Sequence, residues 1–114
     1  MLNSPNGFYQ KTVQLENRNF SLNIQKFENG YFVSITEGSN KMGSMVISLA
    51  TGPTPITTTI IPSRTESLFL KLIAERISVR IRGITIVSIF IQKELEPNIA
   101  KALMFEIMEM IENE

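Results

Sequence analysis

The chain has 114 residues, 43% of them hydrophobic and 19% charged, with eleven lysines and arginines balanced by eleven glutamates and with no histidine, cysteine or aspartate. A length of this order supports one domain around one core, zero net charge lacks the basic footprint of a dedicated nucleic-acid binder, and the missing cysteines exclude disulfides and thiolate metal sites. Without histidine, a catalyst would have to work with glutamate, lysine, arginine, serine, threonine and two tyrosines.

Binding or assembly is therefore the expected role, with no enzyme activity, cofactor or metal. No apolar stretch reaches the roughly 18 residues of a membrane helix, and Met1 to Gly7 carries neither a basic nor an apolar leader region. The expectation is a single domain over residues 1–114, cytoplasmic, with no membrane or nucleic-acid partner.

The first half reads as strands. Val13 and Leu15 alternate with polar residues, Glu16-Asn17-Arg18-Asn19 supplies a turn, and Phe20, Leu22 and Ile24 resume the period of two. Asn29-Gly30 suits a type I′ hairpin, whose central positions both need positive φ. Tyr31, Val33 and Ile35 follow, and a turn at Gly38-Ser39-Asn40 leads into Met45, Ile47 and Leu49. This pattern predicts a four-stranded antiparallel meander over about residues 9–49. Two prolines in Thr51-Gly52-Pro53-Thr54-Pro55 break it, and residues 56–61 read as a fifth strand.

The period then changes. Ser63-Arg64-Thr65-Glu66 fits a capping box, and Phe69, Leu70, Ile73, Ala74 and Ile77 recur at helical spacing up to an end near Arg80, with the break at Gly83. Residues 84–91 are β-branched and apolar at both parities, as in a strand buried on both faces. Pro97 suits the first turn of a last helix, whose apolar stripe is Ile99, Ala100, Leu103, Met104, Ile107 and Ile111.

The resulting order, β-β-β-β-β-α-β-α, describes an α+β fold: a mostly antiparallel six-stranded sheet with both helices on one face. Yet Tyr31, Val33 and Ile35 oppose Phe32, Met45, Ile47 and Leu49 oppose Val46, and residues 84–91 are apolar throughout. Contiguous apolar patches are rarely left in water. The second face is therefore expected to stack on a partner subunit about 10 Å away, through Phe32, Val46, Ile84, Ile86 and Phe90; a cover made of the amino-terminal segment or the long loops is the alternative.

Other candidate chemistry is thin. Lys41-Met42-Gly43-Ser44 lacks the frame of a phosphate loop and a following helix. Glu94 and Glu96 lack the convergent ligands of a cation site, and helix-start electrostatics account for them. Met104, Met108 and Met110 read as core filling, with an adaptable binding surface as the other option. Residues 64–82 carry five cations against two glutamates, a net +3, and residues 93–114 two lysines against six glutamates, a net −4. These segments either meet or are solvated helix surfaces.

Asn40-Lys41-Met42-Gly43-Ser44-Met45-Val46-Ile47-Ser48-Leu49 resembles a strand of proteasome assembly chaperone 3, where K-M-G is also followed by a small polar residue and an apolar run. Thr57 to Ile61, Glu66-Ser67-Leu68-Phe69, Ile84 to Ile91 and the final helix line up in order, so that the likeness spans about residues 12–112. The resemblance implies a noncatalytic chaperone that pairs with itself or with a related chaperone subunit and holds proteasome α subunits during assembly of the α ring. Another class of proteasome chaperones docks through a carboxy-terminal hydrophobic-tyrosine-any tripeptide. The ending Ile111-Glu112-Asn113-Glu114 has no tyrosine, so contact is expected from the body of the domain. By exposure, the expected partner-binding residues are Asn40, Lys41 and Met42 with the loop of Thr51, Gly52 and Thr54.

Two other classes compete. A homodimeric adaptor of the longin or roadblock kind would insert a helix after the second strand. A small-molecule enzyme or binder would need a deep pocket holding a glutamate or lysine with a strongly shifted pKa.

Overall fold

Five strands precede the first helix, which sets this order apart from a longin or roadblock adaptor with its helix after the second strand. They are β1 (Phe8–Leu15), β2 (Arg18–Phe27), β3 (Gly30–Glu37), β4 (Ser44–Leu49) and β5 (Ile56–Ile61), followed by α1 (Ser67–Ile81), β6 (Ile84–Phe90) and α2 (Pro97–Glu112). This computed structural model describes residues 6–112; most of the amino-terminal stretch read for a leader, and Asn113 and Glu114 of the tail, lie outside them.

The six strands form one sheet in the order β1-β2-β3-β6-β4-β5. The antiparallel meander thus ends after three strands, one fewer than expected. β6 enters between β3 and β4, parallel to the first and antiparallel to the second. Its residues are apolar at both parities because it lies at the centre, with α1 against one face and the open side of the sheet on the other. Local alternation could not reveal this insertion, since it specifies faces and not neighbours.

Both helices lie on one face. α1 crosses β4 and β6 while α2 lies toward β1, and between helices and sheet sits a core of Phe20, Leu22, Ile24, Val33, Ile35, Val46, Val87, Ile89, Leu70, Ile73, Ile77, Ile99, Leu103 and Ile107, all essentially without solvent exposure. At about 1.5–3 kcal/mol for each large apolar side chain removed from water, this layer is the main stabilising term. Met110 is buried and Met104 and Met108 pack half-buried against the same core, so the methionines of α2 are largely filling.

Two local expectations are corrected, and the end of α1 falls where expected. The tight positive-φ turn is at Glu16 and Asn17 (φ 50° and 67°), between Leu15 and its partner Arg18, and not at Asn29-Gly30, where neither residue has positive φ. Gly30 is required for a different reason: a Cβ there would collide with the carbonyl oxygen of Ile84 on the neighbouring strand. The capping box does not form; the cap of α1 is Glu66, with no side-chain hydrogen bond to the helix. α1 runs to Ile81 and closes with Arg82 in the left-handed conformation, with the Gly83 N–H donating to the Ser78 carbonyl.

Candidate partner-binding surface

The face of the sheet away from the helices is not roofed by any element among the described residues. The register fixes its members. Phe32 stands opposite Ile86, which stands opposite Ile47, and Ile84 stands opposite Leu49. With Met45 and Phe90 these residues make an apolar band over β3, β6 and β4, mostly half-buried by one another, with Leu49 exposed. Beside it the same face is polar. Gln10, Ser21, Asn23, Gln25 and Ser34, with Phe8 and Phe32, line a shallow depression of about 520 Å³ over β1 to β3. The second face is thus largely apolar over β3, β6 and β4, the strands from which that expectation was drawn, and polar over β1 and β2.

Four of the five residues expected at a subunit interface, Phe32, Ile84, Ile86 and Phe90, lie on this open face. Val46 does not. It pairs with Val87 under the helices and is 1% exposed, while Met45, Ile47 and Leu49 take the open side. The parity was misleading because Ser48, a polar residue, also points inward. Its carbonyl accepts from the Ser78 hydroxyl of α1 at 3.0 Å, and its own hydroxyl accepts from Thr57 at 3.2 Å. A hydroxyl with partners can sit in a core that binary patterning assigns to apolar residues.

Asn40, Lys41 and Met42 project from the connection into β4, all exposed, with Met42 at 76%. The Lys41 ammonium stands 5.3 Å from the centre of the Phe90 ring, which joins this loop to the apolar band by a cation–π contact. Gly43 follows because a Cβ there would strike the Ile89 carbonyl. Thr51, Gly52 and Thr54 follow the other end of β4, next to Ala50, whose N–H donates to Gly83. A six-residue strand separates the two loops by about 20 Å. The structure thus brings Asn40, Lys41 and Met42 together with the open face and leaves Thr51, Gly52 and Thr54 at the opposite end of the sheet.

Among the described residues, no three or more acidic groups converge as a metal site would require. Glu94 and Glu96 lie instead beside Arg18: the Glu94 carbonyl accepts from Arg18 at 3.0 Å, and the Glu96 carboxylate is 3.8 Å away. Arg18 itself forms a buried pair with Glu37; reading Arg18 as a turn residue hid it, whereas it opens β2 on the inward parity of Phe20 and Leu22. Among the described residues, no helix is long and apolar enough to cross a membrane. The basic and acidic segments meet, among the described residues, at an exposed pair, Arg80 and Glu112 at 3.5 Å.

The fold has solved counterparts. A chain in the "Crystal Structure of a Novel Chaperone Complex for Yeast 20S Proteasome Assembly" matches with a TM-score of 0.68, covering 93% of this chain and 94% of that one, at 7% identity. At that identity the likeness is one of fold. No curated protein sequence matches. The resemblance drawn from Asn40 to Leu49 holds for the proteasome assembly chaperones as a group, and the family model that matches is that of proteasome assembly chaperone 4. That model covers residues 19–91, from β2 through β6 and well over half of the sequence; the chain belongs to the noncatalytic proteasome assembly chaperone 4 family.

Proposed function

We propose that this protein assists assembly of the proteasome α ring as one subunit of a chaperone pair, its open sheet face stacked on a second copy or on a related chaperone subunit, and that the pair holds α subunits. The observation that carries this reading is the uncovered band of Phe32, Ile47, Ile84, Ile86 and Phe90 on a chain of the chaperone 4 family. Isoleucine and phenylalanine on that side of the central strands stay partly in water, and a stacked subunit removes them from it. The polar depression over β1 to β3 would sit at the rim and stay hydrated. Such a chaperone works in the cytoplasm.

Asn40, Lys41 and Met42 are the proposed contact to an α subunit, at the edge of the stacked face. Thr51, Gly52 and Thr54 form a second proposed contact, reached only by a partner that spans the length of β4. Affinity purification from native extract followed by mass spectrometry tests the reading: recovery of proteasome α subunits supports it, and their absence beside other abundant partners counts against it. Lys41→Glu should weaken α-subunit binding in titration calorimetry while leaving the chaperone pair intact.

A further inference from the structure

β5 is the last strand of the sheet, and its outer edge is bare. It lies at the end of the order β1-β2-β3-β6-β4-β5 and pairs with β4 alone; among the described residues, no other backbone hydrogen bond reaches residues 56–61. Five of its six residues are exposed, with Ile56 at 66% and Ile60 at 49%. Natural sheets ordinarily guard such an edge with a charge or with a proline inside the strand. β1, at the other edge, carries Lys11. β5 carries no charge, and Pro55 and Pro62 stand just outside it. The Glu75 carboxylate of α1 accepts from the Thr57 hydroxyl on the helix side, away from the backbone edge.

The sequence of this edge says what fits it. Ile56-Thr57-Thr58-Thr59-Ile60 reads the same in both directions. A two-fold contact between identical chains requires that residue i meet residue j while j meets i. Two copies of β5 set antiparallel about Thr58 satisfy that at every position: Thr58 faces Thr58, Thr57 faces Thr59, and Ile56 faces Ile60. The sides of the sheet agree as well. Thr58, paired with Ile47, lies on the open side, while Thr57 and Thr59, paired with Ser48 and Val46, both lie on the helix side. The register shift of β5 against β4 falls beyond Thr59, so the three threonines make the regular ladder and the isoleucines flank it. Threonine and β-branched cross-strand pairs are favourable, and no like charges meet within the strand.

We infer that β5 pairs edge to edge with β5 of a second copy, in an antiparallel ladder centred on Thr58. Each chain has one such edge, so the contact closes at two chains. It is separate from the stacking of the open face, and one chain can use both. A ladder of six residues buries little surface, so this contact is the weaker one, formed at about 100 µM chain and lost on dilution to about 1 µM.

Sedimentation equilibrium of the full chain at the higher concentration tests this. With the open face disabled by Ile86→Glu, the mass should be twice the 12.9 kDa of one chain. Adding Thr58→Lys sets like charges directly opposite across the axis and should halve that mass. Adding Thr58→Glu should do the same, and mixing the lysine and glutamate variants in equal amounts should restore the doubled mass. The chain has no cysteine, so Thr58→Cys places a lone thiol on the axis. In the Ile86→Glu background it should form an interchain disulfide at least tenfold faster than Thr12→Cys on β1. Thr58 and Thr12 are both exposed, and unchanged thermal melting of the variants checks the fold. Failure of the open-face pairing is read separately, as an Ile86→Glu change that leaves the mass of the natural chain unaltered. A mass indifferent to Thr58→Lys, a mixture that stays at one chain, or equal crosslinking at the two positions would overturn the inference. So would an Ile86→Glu chain that sediments singly, which would leave the edge to an extended segment of another protein.

Discussion

Arg18 grips Glu37 in a two-pronged contact at the end of the sheet, Nε to Oε2 at 2.8 Å and Nη2 to Oε1 at 2.7 Å, and both side chains are buried. The remaining guanidinium donors reach the carbonyls of Lys93 and Glu94, and Glu37 accepts the Gln92 N–H. One ion pair thus ties the start of β2 and the end of β3 to the connection from β6 into α2. Removing either partner strands a buried charge. Glu37→Gln should cost about 3 kcal/mol in urea unfolding, and Arg18→Met with Glu37→Leu together less than either change alone.

The same pair sets an acid response. The Arg18 hydrogen bonds hold the Glu37 carboxyl below the ordinary carboxylate range, against the opposing effect of burial. A carboxyl whose pKa falls on folding binds fewer protons folded than unfolded. Its stabilisation is complete above the unfolded value, about 4.3, and is lost as pH falls through the lower folded value. Unfolding midpoints between pH 6 and 2.5 should decline more steeply for the natural chain than for Glu37→Gln. Parallel curves would remove the assignment.

Gly30 permits the parallel contact of β3 with β6, because its missing side chain leaves room for the Ile84 carbonyl. Gly30→Ala forces backbone to move, and a loss of about 2 kcal/mol is expected. The Asn29-Gly30 turn would then loosen where Asn29 accepts the Ile84 N–H, which amide hydrogen exchange at Ile84 would register as lost protection.

Three substitutions at two sites should stabilise. Glu16 and Asn17 occupy the positive-φ turn between β1 and β2, so replacing them with Asn and Gly, the pair that such a turn favours, should add about 0.5–1 kcal/mol. The Thr85 hydroxyl is buried in β6 without a hydrogen-bond partner; Thr85→Val keeps the branched shape, relieves that group and should raise stability by about 1 kcal/mol. A loss at Thr85→Val in thermal melts would mean that the hydroxyl has a partner in solution.

Much of the fold was legible because period and length carry it. The eight elements, Pro97 at the start of α2 and the face of α2 with Ile99, Leu103 and Ile107 all follow from spacing. What stayed hidden depends on long-range pairing. β6 between β3 and β4 leaves no local trace, and Val46 was placed outward because Ser48 was not expected to find Ser78 and Thr57 inside. Turn chemistry misled in one place: Asn29-Gly30 has the composition of a type I′ turn, yet the Gly30 position is set by Ile84 and the positive φ values fall on Glu16 and Asn17. Of the candidate surface, the residues of β3 and β6 were readable by parity, while the polar half over β1 and β2 was overlooked even though Ser21, Asn23 and Gln25 alternate plainly with the core.

The open face is the centre of this account, and native mass spectrometry of complexes purified through the tagged chain tests it most directly. With the natural sequence, the expected species contains the 12.9 kDa chain, a second chaperone subunit of the same or a related kind, and a proteasome α subunit; Ile86→Glu should lose the second chaperone subunit while retaining its folded circular dichroism spectrum. A natural chain that emerges alone, or a variant that keeps its partner, would contradict the account.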